Sequence, residues 1–260
     1  MHMPSIKQRI RDSFERAATT YDAAAVVQRQ VCNRLLEEFD LSTFTGDNPT
    51  RILDAGCGTG YGARLLRARW PAVHITGVDF APAMLSLAQR DTDACFAADI
   101  EELPFAEASF DLWWSSLTIQ WCAIDTAFSE AARVLRPGGR LALSTLGPDT
   151  FNELRLAFSG VDQHRHTLPF NEPEYVESAL AHAGFDRIIL RREIHTVHYP
   201  DLKTLLRAVK GIGAHNVGEG ARSGMMGRHA WQQVEAAYEQ HRQAAGLPAS
   251  YDVILGYAIK

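Results

Sequence analysis

The apolar positions of the N-terminal segment follow a helical spacing. From Ser5 to Phe39 they recur every three or four residues and fall on one side of a helical wheel. This pattern predicts one or two helices packed on a larger body. Thr19-Thr20 followed by Asp22 is expected to interrupt the stretch, because short polar side chains cap helices more readily than they continue them.

Beyond residue 50, short apolar runs alternate with amphipathic runs. This alternation is typical of a parallel sheet that helices cover on both faces. The predicted strands are Arg51–Asp54, His74–Asp79, Ala94–Ala97, Phe110–Ser115 and Leu141–Thr145. The predicted helices are Gly60–Arg69, Pro82–Arg90 and Asp125–Leu135. Arg136-Pro137-Gly138-Gly139 predicts a sharp turn from the last helix into the fifth strand.

The C-terminal part is less regular, and its pattern predicts helical additions around two further strands. The predicted helices are Phe151–Phe158, Glu172–His182, Asp201–Lys210 and His229–Ala245, and the strands are Arg187–Thr196 and Tyr251–Ile259. We therefore expect a single domain in four parts. These are a helical N-terminal cap (1–46), a cofactor-binding core (47–200), a helical lid (201–246) and a final strand (247–260).

Composition agrees with an ordinary soluble globular protein. The chain has 260 residues, 46% of them hydrophobic and 22% charged, and contains no uncharged apolar run of the roughly 18 residues that a membrane span needs. The four cysteines are widely separated, and the N-terminus has no stretch like a signal peptide's, so we expect reduced thiols and a cytoplasmic location. The net charge of −5 argues against general affinity for nucleic acid.

The segment Ile52–Gly60 is the strongest single motif. An apolar run ends in Asp54, three glycines follow at every second position, and an amphipathic run begins. Glycine tolerates positive φ and lets a ligand approach the backbone closely. The motif thus predicts a strand that turns tightly into a helix beside an adenosine-containing cofactor, with Asp54 placed to accept hydrogen bonds from the ligand.

The glycines alone leave two cofactors open. Asp79 stands about 20 residues further on, where an acid binds ribose hydroxyls in dinucleotide enzymes as well as in methyltransferases. However, the carboxylate of Asp54 would repel a pyrophosphate and would suit a cationic amino group. Asp99 follows the third strand, where it could bind the adenine amine. Three acids after three strands favour S-adenosylmethionine, although Asp79 and Asp99 could instead merely cap turns.

Residues 51–145 resemble the class I S-adenosylmethionine-dependent methyltransferases. The matching segments are Leu53–Gly60, Gly77–Leu85, Asp99–Phe105, Phe110–Ser116 and Leu135–Gly139. The resemblance implies a Rossmann-like, seven-stranded, mostly parallel sheet with one antiparallel strand, whose last hairpin uses Tyr251–Ile259. The cofactor-binding residues that it implies are Asp54, Gly56, Gly58, Asp79, Phe80, Met84, Asp99, Ile100, Ser115 and Leu117.

The outer segments are similar to one subfamily, the malonyl-acyl-carrier-protein O-methyltransferases of biotin synthesis. The similar segments are Phe14–Asp22, Gln28, Leu117–Cys122 and Leu205–Asn216, whereas Gly160–Asn171 and Ser223–Arg228 resemble it less closely. The resemblance implies methyl esterification of the free carboxyl of a malonyl thioester, on acyl carrier protein or coenzyme A. The candidate acceptor-site residues are Tyr21, Gln120, Trp121 and His215.

This chemistry needs neither a metal nor a general base. A malonyl carboxylate titrates near pH 4, so it is already ionised and has only to be aligned with the sulfonium methyl. Very tight binding of the carboxylate would stabilise the ground state, so we expect hydrogen-bonding groups and at most one arginine around it. His164-x-His166 and His195-x-x-His198 lack acid or cysteine partners at ligand spacing, and they do not predict a metal site.

Several alternatives stay open at this point. Lys203, Arg207 and Lys210 share a flank of one predicted helix, which either docks an acidic carrier protein or is simply solvated. The same fold could methylate a free small carboxylic acid or another small acceptor, or bind the cofactor without transferring methyl. A nucleic-acid methyltransferase is disfavoured, because no Asn-Pro-Pro-Tyr-like element follows the fourth strand. The oligomeric state is not determined by the sequence.

Overall fold

The computed structural model describes residues 5–41, 48–162, 164–212 and 226–260. The described helices are α1 (Ile6–Ala24), α2 (Val26–Leu41), α3 (Tyr61–Arg69), α4 (Pro82–Ala88), α5 (Ile124–Val134), α6 (Asn152–Ser159), α7 (Pro173–His182), α8 (Leu202–Gly211) and α9 (Arg228–Glu239), with a short 3-10 helix at Ile119–Trp121. The strands are β1 (Arg51–Ala55), β2 (His74–Asp79), β3 (Ala94–Ala97), β4 (Phe110–Ser116), β5 (Leu135–Leu146), β6 (Asp186–Tyr199) and β7 (Leu247–Ile259). Within these ranges, no helix has both the length and the apolar character that a membrane crossing requires.

The strands form one seven-stranded sheet in the order β3-β2-β1-β4-β5-β7-β6. The pairs from β3 to β5 are parallel, and β7 is antiparallel to both of its neighbours. The predicted sheet with one antiparallel strand is therefore confirmed. The strand order reverses between β1 and β4, and in such sheets ligands bind beyond the carboxyl ends of the strands at this switch point.

Hydrophobic clusters cover both faces of the sheet. Successive residues of a strand point to opposite faces, so Ile52 joins the cluster under α2 and α3 while Leu53 joins the cluster under α5 and α7. Both residues are fully buried. The near-continuous apolar runs of the sequence thus correspond to strands that are covered on both sides, as the alternation of strands and helices predicts.

The predicted break in the N-terminal helix is wrong in position. α1 continues through Thr19 and Asp22 to Ala24, and the chain bends at Ala25. The Thr20 hydroxyl donates to the Ala17 carbonyl inside the helix, and the Asp22 carboxylate accepts a hydrogen bond from Thr59 in the core instead of capping a new helix. Tertiary contacts therefore override the local capping preference of these residues.

The turn predicted at Arg136–Gly139 falls at the start of β5, where these four residues have no register partner in β4 or β7. The pairing of β5 with β4 shifts register between Phe110 and Leu112, and Gly138 has a φ of +74°. A bulge at the start of the strand therefore takes the place of a separate turn.

The C-terminal elements have different bounds from those predicted. β6 reaches Tyr199, α9 ends at Glu239, and β7 begins at Leu247 rather than at Tyr251. Pro248 lies inside β7, where it pairs with His198 of β6, while the pairing with β5 begins only at Val253. One side of this part of β7 therefore has no neighbouring strand, so a proline without an N–H is tolerated there.

Candidate active site

The glycine turn lies between β1 and α3, as predicted. Gly56, Gly58 and Gly60 have φ values of +77°, +52° and +88°. A Cβ atom on Gly56 would lie only 2.2 Å from the Thr118 Oγ1 atom, which follows β4. Only glycine therefore fits where the loops after β1 and β4 meet, and the backbone is left open at the switch point.

Asp54 ends β1 with an unsatisfied oxygen. The residue is 2% exposed, and its Oδ2 atom has no hydrogen-bond partner among the described residues. Burial, followed by the proximity of Asp79, raises the pKa of Asp54 to about 7. The buried indole N–H of Trp114 in β4 is likewise without a partner in the described part of the chain.

Gly62 lies beside both of these unpartnered groups. A Cβ atom at Gly62 would approach Asp54 Oδ2 to 3.0 Å and Trp114 Nε1 to 3.1 Å. A small polar space with one acceptor and one donor is thus maintained at the end of β1. A buried carboxylate oxygen without a partner is costly, and a ligand ammonium group would satisfy it.

Asp79 ends β2 and organises the two adjacent loops. Its Oδ2 atom accepts a hydrogen bond from the Gly58 N–H at 3.0 Å, and its Oδ1 atom accepts one from the Ala81 N–H at 2.9 Å. Burial raises the pKa of Asp79 to about 6, although these backbone hydrogen bonds act in the opposite direction. Backbone N–H groups occupy three of the roughly four lone-pair sites of this carboxylate, so one remains to accept a hydrogen bond from a ligand hydroxyl.

A cavity that we call the inner cavity lies at these strand ends. Its lining includes eight of the predicted cofactor residues, namely Gly56, Gly58, Asp79, Phe80, Met84, Asp99, Ile100 and Leu117. Asp54 lines a side cavity that shares Tyr21, Gly56, Gly58 and Ser116 with the inner one.

Ser115 is not brought to either of these cavities. Its hydroxyl is buried in the sheet and donates to the Ala55 carbonyl at 2.7 Å. The next residue, Ser116, lines both cavities instead. Since successive residues of a strand face opposite sides of the sheet, a shift of one position decides which serine reaches a ligand.

Helix α1 covers the inner cavity with one face. Lys7, Phe14 and Tyr21 are spaced seven residues apart, which places them on the same side of a helix, and all three line the cavity. Tyr21 is among the site residues predicted from the sequence, whereas Lys7 and a role for Phe14 are not. The seven-residue spacing from Tyr21 back to Phe14 and Lys7 is the sequence pattern that indicates these two residues.

Polar contacts fasten α1 to the loops after the first three strands. The Lys7 ammonium pairs with Asp99 and also with Glu101, the latter at 2.8 Å. Glu15 accepts a hydrogen bond from the Ala83 N–H at 3.2 Å, and Asp22 accepts one from the Thr59 hydroxyl at 2.5 Å. The helix is therefore held over the ligand-binding ends of the strands by charged side chains.

A second cavity, the middle cavity, adjoins the inner one. The two share four lining residues, which are Phe14, Tyr21, Leu117 and Trp121. The remaining described lining of the middle cavity is Gln28, Gln120, Leu146, Phe151, Leu154, His166, Thr167, Leu168, Phe170, Leu206, Val209, Lys210, Ile212 and Tyr251. This lining is mostly apolar, and among the described residues it contains no arginine.

The predicted acceptor residues lie at or beside the junction of these cavities. Burial, together with the negative charges of Asp79 and Asp22, raises the pKa of Tyr21, so its phenol stays protonated and able to donate. Trp121 packs edge-on against Phe14, with ring centroids 5.5 Å apart.

The polar groups of Gln120 bind the protein itself. Its amide donates to the Leu117 carbonyl at 2.7 Å and accepts from the Thr145 hydroxyl at 3.3 Å. Gln120 therefore shapes the loop after β4, where Leu117 has a positive φ of +52°. His215 lies outside the described residues.

One histidine side chain of each predicted pair is engaged in other contacts. His166 bonds Asp162 at 2.8 Å and stacks on Phe158, while His198 bonds Gln243 at 2.9 Å. In the described ranges, no group of three or more His, Cys, Asp or Glu side chains is arranged to hold a metal ion.

Comparison with known proteins first defines the class. The methyltransferase domain family matches residues 53–143. A solved Thermotoga maritima structure, described as a SAM-dependent methyltransferase and possible histamine N-methyltransferase, is similar with a TM-score of 0.57 at 18% identity, covering 96% of this chain and 99% of that one. At such identity the similarity concerns the fold alone. The sheet order, the glycine turn and these matches define a class I methyltransferase fold.

Relatives that match nearly the whole chain then define the family. The malonyl-[acyl-carrier protein] O-methyltransferase of Dechloromonas aromatica is 51% identical over 257 residues, 98% of this chain and 95% of that protein. The biotin biosynthesis bifunctional protein BioHC of Teredinibacter turnerae is 40% identical over 269 residues, 98% of this chain and 47% of that protein. The chain belongs to the malonyl-[acyl-carrier protein] O-methyltransferase family.

Proposed function

We propose that this enzyme methylates the free carboxylate of a malonyl thioester on acyl carrier protein, with S-adenosylmethionine as the donor, to begin pimeloyl formation in biotin synthesis. The names of the two relatives support this reaction. The structural observation that carries it is the junction of the inner and middle cavities at Tyr21. A donor in the first cavity and an acceptor in the second would meet there.

The residues around the inner cavity fit S-adenosylmethionine. The unpartnered oxygen of Asp54 suits the amino group of its methionine part, and Asp79 suits the ribose hydroxyls. We propose that Asp99 and Ile100 bind the adenine, with Phe80 and Met84 packed against the nucleoside. When bound, the cofactor supplies an electrophilic methyl group on a sulfonium.

The acceptor requires alignment rather than proton removal. A malonyl carboxylate is ionised at neutral pH, because such groups titrate near pH 4. We propose that the Tyr21 phenol donates a hydrogen bond to one carboxylate oxygen and holds the other toward the methyl group. Gln120 and Trp121 shape the wall of this site, and His215 is proposed with them on the resemblance alone. Positioning of this kind supplies most of the acceleration.

A neutral donor suits this reaction better than a cation. The negative charge of the carboxylate is lost as methyl transfer proceeds, so a strong ionic contact would stabilise the ground state more than the transition state. The apolar lining of the middle cavity also excludes water from the reacting carboxylate. A mostly apolar wall with a neutral donor therefore favours methyl transfer to the carboxylate over tight binding of the unreacted carboxylate.

The reaction is tested by supplying labelled S-adenosylmethionine with malonyl-acyl carrier protein, malonyl-coenzyme A, or free small diacids such as malonate. We expect label to enter the malonyl thioesters, and the gene to restore growth of a biotin auxotroph that lacks the methyltransferase. Preferential labelling of a free diacid would instead support the small-acid alternative. Cofactor binding without transfer to any acceptor would indicate a catalytically silent protein.

Cofactor affinity should increase as the pH rises from about 5 to about 8. The pKa values of Asp54 and Asp79 are raised to about 7 and about 6, and a cationic ligand binds best when both groups are ionised. A carboxyl group that must lose its proton before the cofactor binds lowers the cofactor affinity by up to about tenfold for each pH unit below the pKa of that group. Isothermal titration across this range, with Asp54→Asn as the comparison, measures the effect. An affinity independent of pH would contradict the assignment.

The unliganded protein should show the opposite trend in stability. Both pKa values lie above the usual value of 3.8, so the folded protein binds these protons more tightly than the unfolded chain does. The contribution of these groups to the free energy of unfolding is present below pH 4 and is lost as the pH rises through about 7. Thermal unfolding of Asp54→Asn should therefore depend less on pH between about 4 and 7 than that of the wild type.

Charge reversal on α8 should weaken methylation of the carrier-bound substrate. Lys203 lies 3.8 Å from Glu235, whereas Arg207 and Lys210 have no ion-pair partner among the described residues. We propose that these two cations attract the acidic carrier, so Arg207→Glu with Lys210→Glu should lower kcat/KM for it about tenfold at low salt. The loss should be smaller at high salt and with malonyl-coenzyme A.

The matched control for this prediction is Arg90→Glu. Arg90 is an exposed arginine that follows α4, and its guanidinium donates to the Leu87 carbonyl. The Arg90→Glu substitution reverses one charge and leaves α8 unchanged. The same loss per reversed charge in Arg90→Glu and in the α8 variant would show that net charge, rather than a docking flank, governs the encounter.

A further inference from the structure

A third cavity, the outer cavity, continues the series away from the cofactor site. It shares His166, Thr167, Leu168 and Phe170 with the middle cavity. The rest of its described lining is Pro148, Arg155, Phe158, Ser159, Asp162, His164, Arg165 and Pro169. The inner, middle and outer cavities thus adjoin in sequence, and the middle one is the most apolar in its lining.

The outer cavity carries two arginines that form no ion pair with any residue the structure describes. The Arg155 guanidinium donates to the Thr150 carbonyl at 2.8 Å and to the Asn152 side chain at 3.4 Å, and both of these acceptors are neutral. Arg165 is exposed and has no ion-pair partner in the part of the chain that the structure describes. Among the described lining residues these are the only permanent cations.

The acidic residue in this lining is already engaged. Asp162 bonds His166 at 2.8 Å and accepts a hydrogen bond from the His164 N–H at 3.0 Å. The Asp162 carboxylate is therefore already hydrogen-bonded within its own segment. The cavity presents excess positive charge at the end of an otherwise apolar path, and this arrangement suits an anion on a long apolar or amide-bearing substrate.

We propose that the outer cavity binds the phosphate of the pantetheine arm, through Arg155 and Arg165. This inference rests on the proposed function, since it takes a malonyl thioester as the substrate. With the malonyl carboxylate at the Tyr21 junction, the thioester and the arm occupy the middle cavity. The middle cavity is mostly apolar and Lys210 is the one permanent cation in its described lining, so we place the phosphate beyond it, beside the two arginines of the outer cavity.

Arginine is the side chain best suited to this role. Its planar guanidinium can bind two phosphate oxygens at once. The hydrogen bonds of Arg155 to the Thr150 carbonyl and the Asn152 side-chain amide hold this arginine in place before the substrate arrives. The same phosphate occurs in carrier-bound and coenzyme A thioesters. Both forms should therefore use this cavity, whereas the α8 flank distinguishes the carrier protein itself.

The test compares malonyl-phosphopantetheine with malonyl-pantetheine, which differ only in the phosphate. The wild type should prefer the phosphorylated substrate about tenfold in kcat/KM, mainly through KM, since solvent-exposed charge contacts contribute modestly to binding. In Arg155→Gln with Arg165→Gln, this ratio should fall to about one. Arg90→Gln is the matched control and should keep the wild-type ratio. Unfolding temperature and cofactor affinity establish that each variant is folded.

Three outcomes would overturn the inference. The first is a wild type that does not distinguish the two substrates, and the second is a ratio that survives in the double variant. The third is a ratio lost in Lys210→Gln instead, which would place the phosphate on the α8 side of the middle cavity. Failure to methylate any malonyl thioester would refute the proposed function itself. This result differs from the three outcomes above, in which methylation occurs but the phosphate site is absent or lies elsewhere.

Discussion

Replacing Asp79 with asparagine should weaken cofactor binding about a hundredfold. A hydrogen bond to a charged group contributes roughly 1.5–3 kcal/mol, and a factor of one hundred corresponds to about 2.7 kcal/mol. The substitution removes the charge that we propose binds the ribose hydroxyls. It also replaces one acceptor of the Gly58 and Ala81 N–H groups with an amide donor, which disturbs the glycine turn. Isothermal titration with S-adenosylmethionine measures the change.

A second carboxylate near β2 provides the control for this experiment. Asp93 accepts a hydrogen bond from the Ile75 N–H at 2.7 Å and pairs with Arg67 at 2.6 Å, and it does not line the inner cavity. Asp93→Asn should lower the unfolding temperature slightly and leave the cofactor affinity unaltered. Unchanged affinity in Asp79→Asn, or an equal loss in both variants, would contradict the ribose-binding role.

Replacing Tyr21 with phenylalanine should lower kcat/KM for the malonyl thioester about ten- to a hundredfold. The phenol is the hydrogen-bond donor that we place at the junction of the inner and middle cavities. Without it the carboxylate loses its orientation toward the methyl group, while the ring keeps its contacts with Phe14. The loss should fall mainly on transfer, with a much smaller change in cofactor affinity. Single-turnover kinetics and cofactor titration separate the two effects.

Tyr175→Phe is the matched control for the Tyr21 substitution. The Tyr175 hydroxyl donates to Asp125 at 2.7 Å, and the residue is 46% exposed on α7. The Tyr175→Phe substitution likewise removes a phenolic hydroxyl, but from a tyrosine that lines neither the inner nor the middle cavity. A Tyr21→Phe enzyme with wild-type turnover would exclude Tyr21 from the alignment of the substrate. The acceptor wall would then depend on other residues of the junction.

The fold and the donor side of the site follow closely from local sequence. The strand–turn–helix at Ile52–Gly60 specifies its own backbone, because glycines at positive φ and an apolar strand are contiguous in the chain. Asp79 and Asp99 each follow a short strand in the same way. The structure brings Asp79 and Asp99 to one cavity, since the carboxyl ends of parallel strands meet at one edge of a sheet.

The predictions from the sequence differ from the structure where contacts between residues far apart in the chain determine a side chain's role. Asp22 reads as a helix cap in the sequence, but its carboxylate bonds Thr59 in the core, and α1 continues past it. Ser115 and Ser116 cannot be distinguished without the register of β4. Lys7 reads as a charge of the N-terminal segment, yet it pairs with Asp99 at the inner cavity. None of these contacts is encoded by neighbouring residues.

The sequence by itself determined the class of fold and the glycine turn with its acids, because each depends on residues adjacent in the chain. Only the tertiary structure decided how the acceptor path is built. α1, the loop after β4, the segment around His166, α8 and β7 contribute to one middle cavity from widely separated parts of the chain. The outer cavity with Arg155 and Arg165 appears in the same way. Packing between elements sets the shape and charge of such a path, and no local pattern records it.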